Sequence, residues 1–263
     1  MNNPEEGLGR LRGKVAMVTG AGSGADAVGT GIGEAIARLF ALEGARVMVI
    51  DVDEGRAART VATVEAKGGE AVVCVADVSS PGQCKSAVEA TVKRFGGLHV
   101  LINNVGISVL GSVTDLDLDG YQRAMDVNLK SMVLTSRYAV PVMIEGSGGS
   151  IVNLSSIVGL RAGEFGGAIP YAVSKGGVIA LTTAMAVDHG SDGVRVNCIA
   201  PGMLEDTRMT ANLDPEFAER ARRGALLKRA ASKSDVADQA VAFARTDTIT
   251  GQTIVVDSGV FFH

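Results

Sequence analysis

Cysteine is scarce in this sequence, and spacings that bind metals are missing. Cys74, Cys84 and Cys198 form an odd, scattered set without a C-x-x-C spacing. This pattern argues against a disulfide framework and against a zinc site. The three histidines are equally scattered along the chain. We therefore expect no metal, and we expect the protein to work in a reducing cytoplasm.

Long apolar runs and clusters of basic residues are also absent. No apolar run approaches the ~20 residues that span a bilayer, and the polar segment 1–12 lacks the apolar core of a signal peptide. The formal net charge is -4 and the sequence pI is about 5.5, so no basic surface for nucleic acid is indicated. Neither a membrane nor a nucleic acid is expected as a partner.

Apolar residues, by contrast, are abundant enough to form a large core. Hydrophobic residues make up 46% of the 263 residues, which suits one α/β domain. Most of the short runs rich in valine and isoleucine are apolar throughout, as parallel strands covered on both faces by helices should be. The predicted strands are residues 15–19, 46–51, 71–76, 99–103, 150–155, 195–200 and 253–257.

Segments of helical period separate these strands. The predicted helices are residues 32–42, 80–95, 121–143, 171–189 and 233–244. The gaps between strands are long enough for crossover helices, and the chain has no low-complexity linker or repeat. We predict one domain over residues 1–263, an α/β fold with a Rossmann-type, doubly wound parallel sheet of about seven strands.

A glycine-rich segment follows the first predicted strand. It reads TGAGSG from Thr19, and after an interval TGIG from Thr30 opens the first helix. Glycine permits a tight turn and lets a pyrophosphate approach backbone N–H groups at a helix N-terminus. A lone glycine pattern is weak evidence, but a strand and a helix flank this one. The segment predicts a dinucleotide site.

Asp51 ends the second predicted strand, where a dinucleotide fold recognises the adenosine ribose. A carboxylate there can accept hydrogen bonds from the ribose hydroxyls and would repel a 2′-phosphate. Val52, the next residue, offers no cation to offset that repulsion. NAD is therefore predicted in preference to NADP, and Arg56 is the residue that could reverse this preference.

The chain as a whole resembles the classical short-chain dehydrogenase/reductase family. The resemblance rests on the glycine motif and on six further segments, which are Asp77-Val78, Asn103-Asn104-Val105-Gly106, Asn128, Ser155-Ser156, Tyr171-x-x-x-Lys175 and Pro201-Gly202. It covers essentially the whole chain. It implies a single-domain Rossmann fold, usually a homotetramer, with catalysis by serine, tyrosine and lysine assisted by an asparagine.

The family motif implies individual roles. Ser156, rather than Ser155, matches the catalytic serine because Ile157-Val158-Gly159 follows it, and Tyr171, Lys175 and Asn128 complete the set. The implied cofactor-binding residues are Gly20, Ser23, Gly31, Ile32, Gly33, Asp51, Val52, Asp77, Val78, Asn104, Gly106, Tyr171, Lys175, Pro201, Gly202 and Thr207. About seven extra residues, 25–31 in one alignment, interrupt the family's glycine motif. The sequence thus leaves open which middle glycine faces the pyrophosphate.

These residue types suit hydride transfer between an alcohol and nicotinamide. Oxidising a secondary alcohol needs a base whose pKa is near neutral pH, whereas a free tyrosine has a pKa near ~10. Lys175 lies on the same helical face as Tyr171, and its charge is expected to favour the phenolate. Ser156 can donate to the substrate oxygen. Asn128 is expected to connect Lys175 to solvent through ordered water.

Three loops are expected to shape the substrate pocket: residues 108–116, 160–170 and 203–227. Their apolar members favour a moderately apolar alcohol or ketone, while Arg161 and Glu164 could read polar substituents or simply face water. Segment 203–227 has the character of a lid that closes on substrate. The apolar end Val260-Phe261-Phe262 is better explained by a subunit contact than by exposure.

Three functions remain open. The leading one is an NAD-dependent dehydrogenase of secondary alcohols. The nearest alternative is a 3-oxoacyl or other ketone reductase of the same fold. The third, from another class, is a dinucleotide-binding regulator without turnover, and the complete set of Ser156, Tyr171, Lys175 and Asn128 argues against it.

Overall fold

The computed structural model describes residues 7–24, 30–161, 167–205, 207, 210 and 215–261. Several features predicted above lie outside these residues: most of the inserted segment, at 25–29, Glu164 in the second substrate loop, and Phe262 near the C-terminus. No helix in the described part of the chain is long and apolar enough to cross a membrane.

One seven-stranded parallel sheet forms the centre of the described chain. Its strands are Val15–Thr19 (β1), Arg46–Asp51 (β2), Glu70–Val75 (β3), Val100–Asn103 (β4), Gly149–Leu154 (β5), Val194–Pro201 (β6) and Thr253–Val256 (β9). The strand order is β3-β2-β1-β4-β5-β6-β9. Two short strands, Leu204–Glu205 (β7) and Ala231–Ser232 (β8), pair with each other. The predicted doubly wound α/β fold is confirmed.

Chain direction across the sheet reverses between β1 and β4. From β1 the chain proceeds to β2 and β3 on one side, and then returns to β4 on the other. Open parallel sheets bind ligands at this reversal, in the crevice beyond the carboxyl ends of the strands. The fold therefore predicts a site beside the ends of β1 and β4.

Helices cover both faces of the sheet. They are Ile32–Leu42 (α1), Glu54–Glu65 (α2), Pro81–Phe95 (α3), Leu118–Met125 (α4), Ser131–Glu145 (α5), Ile169–His189 (α6), Pro215–Gly224 (α7) and Lys233–Arg245 (α8). Val18 packs with Ile36 of α1 and Val241 of α8 on one face. Met17 packs with Met185 of α6 on the other. Alternate residues of β1 thus enter opposite cores, which explains its uninterrupted apolar run.

Helix α2 was not predicted. Its buried residues are only Ala57, Thr60 and Val64, and its other positions are largely exposed, so its apolar stripe is too thin to stand out. The helix begins at a clear cap instead. The Asp53 side chain accepts a hydrogen bond from the backbone N–H of Arg56, which satisfies one of the unpaired donors of the first turn.

The helix predicted over 121–143 is present, but it is longer than expected and contains a π-helical turn. Helix α4 begins at Leu118, where the Asp117 carboxylate caps the N–H groups of Asp119 and Gly120. A π-helical turn, Asp126–Lys130, then separates α4 from α5. The wider turn contains Asn128, and such turns are frequent at functional sites.

Candidate active site

The predicted catalytic side chains converge at the carboxyl end of β5. Ser156 lies two residues beyond that strand, Tyr171 and Lys175 lie on the first turns of α6, and Asn128 lies in the π-helical turn. The helix α6 can approach because Gly159 lies on its backbone: a Cβ there would be 2.6 Å from the carbonyl carbon of Lys175. A larger residue at 159 would push the helix away.

Lys175 is fully enclosed, with 3% of its surface exposed. Its Nζ donates a hydrogen bond to the carbonyl oxygen of Leu154 (2.8 Å) and lies 5.8 Å from the centroid of the Tyr171 ring. Burial lowers the pKa of Lys175 to about 8, against a smaller opposite effect of Cys198. The side chain is therefore still mostly an ammonium at pH 7.

Tyr171 departs from expectation in the protein alone. Burial raises the pKa of its phenol, and the hydrogen bond with Ser156 lowers it by less. The expected lowering of this pKa by Lys175 does not appear among these effects. Both groups are withdrawn from water, and burial disfavours the charged form of each, the phenolate and the ammonium.

The two neighbouring serines have different surroundings. The Ser156 side chain accepts a hydrogen bond from the N–H of Val158 (3.3 Å) and lies close enough to the Tyr171 phenol to lower its pKa. The Ser155 hydroxyl donates instead to the carbonyl oxygen of Lys175 (2.7 Å). Only Ser156 of this pair faces the phenol, in agreement with its choice from the family motif.

Asn128 is completely buried and acts as a clip. Its side-chain oxygen accepts from the N–H of Ile107 (2.7 Å), and its amide donates to the carbonyl of Ile107 (2.9 Å) and to the Ser174 hydroxyl (3.0 Å). Ser174 in turn donates to the carbonyl of Tyr171 (2.8 Å). The side chain thus ties the segment after β4 to α6, and its water-mediated link to Lys175 remains a prediction.

Ser174 was missed in the sequence. Nothing but its place directly before Lys175 distinguishes it there, because a serine inside a helix is usually solvated or bonded to its own backbone. Its role depends on Asn128, which is 46 residues away. Only the folded π-helical turn brings the two side chains together.

The glycines after β1 have separate physical roles. Gly20 adopts a φ of +61°, which forms the tight turn. A Cβ on Gly33 would lie 2.4 Å from the carbonyl oxygen of Gly20, so this glycine lets α1 pack against the turn. A Cβ on Gly22 would lie 2.5 Å from a carboxylate oxygen of Asp51. All three are required by the protein itself.

Gly31 is different, because nothing in the described protein requires a glycine there. Its backbone is extended, at φ -109° and ψ 176°, and a Cβ would meet no described atom within 4 Å. It is the N-cap of α1, so the free N–H groups of the first turn begin directly after it. An open cradle at a helix N-terminus fits a pyrophosphate.

The N–H groups of the preceding turn are already occupied. Those of Ala21, Gly22 and Ser23 donate to the Ile50 carbonyl, the Asp51 carboxylate and the Arg56 carbonyl respectively, each at 3.0 Å. They are therefore poor candidates for phosphate binding. Of the glycines left open by the sequence, Gly31 with Ile32 and Gly33 is the combination that the geometry favours.

Asp51 stands at the end of β2 with both carboxylate oxygens in use. One accepts from Gly22, and the other accepts from the N–H of Asp53 (3.0 Å). Each oxygen keeps a further lone pair for a ligand. Val52 beside it is 64% exposed, and Arg56 pairs with Asp53 at 3.6 Å rather than with Asp51.

Asn104 and Gly106 frame the crevice from the β4 side. The Asn104 amide donates to the carbonyl oxygens of Thr19 and Gly20, both at 3.1 Å. A Cβ on Gly106 would lie 3.2 Å from Lys175 Nζ. Asp77 receives the N–H and hydroxyl of Ser79. The next residue, Val78, is buried in the core rather than exposed in the crevice.

The remaining predicted contacts lie beyond β6. The N–H of Gly202 donates to the Val256 carbonyl (2.9 Å), and a Cβ on Gly202 would lie 2.5 Å from that of Asp257. Pro201 is the last residue of β6. Thr207 is buried and its hydroxyl bonds with that of Thr210 (2.8 Å). Most of the predicted site residues therefore lie at the carboxyl ends of the strands, whereas Val78 packs into the core.

Comparison with known proteins extends over nearly the whole chain. Residues 27–261 match the sequence model of a family described as enoyl-(acyl carrier protein) reductase. The 3-oxoacyl-(acyl-carrier-protein) reductase of Thermotoga maritima is 36% identical over 254 residues, covering 95% of this chain and 99% of the relative. The meso-2,3-butanediol dehydrogenase of Serratia marcescens is 35% identical over 252 residues, covering 95% of both.

The backbone of a solved structure is also similar to that of this chain over nearly its whole length. The 7α-hydroxysteroid dehydrogenase complexed with NADH and 7-oxo glycochenodeoxycholic acid superimposes with a TM-score of 0.89 at 28% sequence identity, and the match covers 98% of each chain. The names of these three similar proteins all describe oxidoreductases.

Proposed function

Since this chain belongs to the short-chain dehydrogenase/reductase family of oxidoreductases, we propose that it transfers a hydride between NAD(H) and the carbon of a secondary alcohol or ketone. The observation that carries the proposal is the group of Ser156, Tyr171 and Lys175 at the carboxyl end of the sheet that also presents the open cradle at Gly31. This geometry supports proton transfer and dinucleotide binding at the same edge of the sheet.

A bound dinucleotide would be held by Gly31, Ile32 and Gly33 at the pyrophosphate and by Asp51 at the adenosine ribose, and its nicotinamide supplies the hydride acceptor or donor. Tyr171 takes the hydroxyl proton of the alcohol on its phenolic oxygen, or returns it to the ketone. Ser156 donates a hydrogen bond to the same substrate oxygen. The Lys175 ammonium, 5.8 Å from the centroid of the Tyr171 ring, is the positive charge that would offset the effect of burial on the phenol when the proton is transferred.

The preference for NAD rests on charge. The Asp51 carboxylate would face a 2′-phosphate, and Arg56 is engaged with Asp53. A cation that is already paired offers less to a phosphate than a free one. The NADH in the complex of the 7α-hydroxysteroid dehydrogenase is consistent with this choice.

The test of the proposed function is Tyr171→Phe, assayed with NAD and a panel of secondary alcohols, sugars, steroids and hydroxyacyl thioesters. We expect turnover of any active substrate to fall by at least ~100-fold, which is the usual worth of a positioned acid or base. NADH binding, followed by its fluorescence, should stay within a factor of ~3 because no phosphate contact changes. Undiminished turnover would disprove the role of Tyr171.

The substrate pocket supports an apolar alcohol or ketone. Leu110 and Val113 of the first substrate loop are exposed in the protein alone, and a substrate could cover them. Segment 203–227 is supported as a lid by its anchored ends: β7 pairs with β8, and the N–H groups of Leu226 and Leu227 donate to the carbonyls of Gly259 and Ser258. The part of the chain between these anchors is the proposed lid.

A 3-oxoacyl reductase is the second candidate, because the Thermotoga maritima reductase is 36% identical to this chain. The two candidates share the chemistry and differ in substrate and direction. Acetoacetyl thioesters with NADH or NADPH, set against secondary alcohols with NAD, distinguish them by the larger kcat/KM. A dinucleotide-binding regulator would bind NADH and turn over none of these compounds.

Assembly and compartment follow from surface and cysteine chemistry. Val133 and Val187 on the outer faces of α5 and α6, and Ile254 on the edge strand β9, are exposed in the single chain. Exposed apolar side chains at a sheet edge and on two helices support a homotetramer, which sedimentation would detect. The described cysteines are free, which suits a cytoplasmic protein.

A further inference from the structure

Two consecutive residues at the end of β5 hold Lys175. The carbonyl oxygen of Leu154 accepts a hydrogen bond from Lys175 Nζ (2.8 Å), and the hydroxyl of Ser155 donates one to the carbonyl oxygen of Lys175 (2.7 Å). The first bond fixes the tip of the side chain, and the second fixes its backbone. The lysine is therefore restrained at both ends.

Ser155 is itself placed firmly. Its N–H donates to the carbonyl of Ile199 on β6 (2.8 Å), and only 5% of its surface is exposed. The same helical peptide also packs against Gly159, whose hypothetical Cβ would be 2.6 Å from the carbonyl carbon of Lys175. The peptide of Lys175 is thus held by a hydrogen bond from Ser155 and by close packing against Gly159.

We propose that Ser155 is a positioning residue for the active site: its hydroxyl sets the level of α6 against β5 at which the Lys175 ammonium meets the Leu154 carbonyl. A lysine side chain loses conformational freedom when it is ordered. Fixing the backbone of Lys175 reduces the number of positions that its ammonium can occupy. The inference rests on the proposed function for the use of the ammonium, but its geometry does not.

The pKa of Lys175 reports this geometry without any substrate. Burial lowers it to about 8. The titratable groups beside the ammonium are the Tyr171 phenol on the same helix and the Cys198 thiol on β6, while Gly106 on the β4 side brings no charge. If the ammonium moves outward and water reaches it, its pKa should rise towards the ordinary value.

The test compares Ser155→Ala with two control variants of the same protein. Ser155→Thr keeps the hydroxyl. Thr182→Val is the matched control, because Thr182 lies two turns further along α6, is fully buried, and accepts a hydrogen bond from the Asn153 amide of β5 (3.0 Å). It therefore also removes a buried bond between β5 and α6, but not at Lys175. Titration of Cε-labelled lysine by NMR gives the pKa, and Lys175→Met identifies the signal.

We expect the pKa of Lys175 to rise in Ser155→Ala, and to stay unchanged in Ser155→Thr and Thr182→Val. An unchanged pKa in Ser155→Ala would overturn the proposal, and so would an equal rise in Thr182→Val, since that would mean general loosening of α6. Urea unfolding of Ser155→Ala and Thr182→Val measures the free energy of unfolding of each. If Ser155→Ala does not fold, Ser155→Cys carries the same test, because its thiol is only a weak donor.

Turnover supplies a second, separate readout. With any substrate of the parent protein, Ser155→Ala should lower kcat by about ten-fold, the scale on which small misplacements are felt, and leave the KM for NAD unchanged. If the parent oxidises no alcohol at all, the proposed function fails while the Lys175 titration still decides the role of Ser155.

Discussion

The two ends of the parallel sheet use buried polar side chains for different purposes. At the amino end, Arg195 of β6 donates to the carbonyls of Phe243 and Ala244, where α8 ends, at 2.7 and 3.2 Å. At the carboxyl end, the Ser156 hydroxyl lies close enough to the Tyr171 phenol to lower its pKa. In the first arrangement, the polar side chain satisfies carbonyl groups at the end of a helix and so stabilises the fold. The second keeps a hydroxyl and a phenol together in a crevice, where a substrate can compete for them.

This difference predicts that the two ends can be damaged separately. Substitutions at the amino end should lower the free energy of unfolding and leave NADH binding intact. Substitutions at the carboxyl end that remove no packing should do the reverse. The glycines after β1 do not follow this division, although they lie at the carboxyl end. The fold needs Gly33, whereas it does not need Gly31.

The largest loss of stability is expected from Arg195→Met. The side chain is mostly buried and bonds two terminal carbonyls of α8, and hydrogen bonds to charged groups are worth ~1.5–3 kcal/mol each. The free energy of unfolding should fall by about 3 kcal/mol in urea titrations. Arg195→Lys, which keeps the charge, should lose less. A matching fall in NADH affinity, measured on the folded variant, would break the comparison between the two ends.

The next effect separates two glycines of one motif. Gly31→Val places a side chain in the cradle at the start of α1, and NADH binding should weaken by at least ten-fold, or ~1.4 kcal/mol. Unfolding in urea should change little, since no described atom lies within 4 Å of the added Cβ.

Gly33→Val serves as the contrast. Its Cβ would meet the Gly20 carbonyl oxygen at 2.4 Å, so both stability and binding should fall. If Gly31→Val bound NADH as tightly as the parent, the pyrophosphate would have to bind elsewhere than at the start of α1.

Asp51→Ser tests the proposed choice of dinucleotide. Removing the carboxylate removes the repulsion of a 2′-phosphate and a partner of the ribose, so the ratio of kcat/KM for NAD to that for NADP should fall about ten-fold. Serine keeps an acceptor for the Gly22 N–H that Asp51 now binds. Double substitution with Arg56→Ala separates the causes: if NADP use is gained only when Arg56 is present, that cation binds the phosphate. An unaltered ratio in both variants would refute the role of Asp51.

Much of the fold was predictable because most strands and helices have a local sequence pattern. Strands β1 and β2 and helix α1 have the predicted bounds, since apolar runs end at glycine or at an acidic residue. Helix α2 was not predictable from its period, as its inner face carries just Ala57, Thr60 and Val64. The π-helical turn was missed for another reason. It is held by contacts of Asn128 with Ile107 and Ser174, which are distant in sequence.

The candidate site divides in the same way. Motifs predicted which side chains meet, because Tyr171 and Lys175 share a helix and Ser156 follows a strand. They did not predict the sense of the Tyr171 pKa, which burial raises. Nor did they predict that Ser155 binds the backbone of Lys175. Solvent exclusion and the level of one element against another are properties of the folded core, and no local pattern encodes them.

The smallest effect concerns His99, which precedes β4 at the amino end of the sheet. Its Nδ1 accepts a hydrogen bond from the N–H of Val15 (3.0 Å), so only the neutral ring can serve. Burial lowers the pKa of His99 in the folded protein, helped by Lys14 and Arg46. Because the unfolded chain takes up the proton first, the stabilisation is complete above ~6.5, the usual histidine pKa, and is lost as the pH falls from there towards the folded pKa.

His99→Gln should remove this pH dependence while keeping an acceptor for Val15. Near pH 7.5 the variant should be close to the parent in stability. Near pH 5 the parent should have lost on the order of 1 kcal/mol more than the variant, the worth of one hydrogen bond. Urea titrations at the two pH values measure the difference, and His189→Gln controls for a histidine that pairs with Asp192 near the surface. Parallel losses in the parent and in His99→Gln would mean that the amino end does not depend on the neutral ring, because protonation of His99 would then cost the fold nothing.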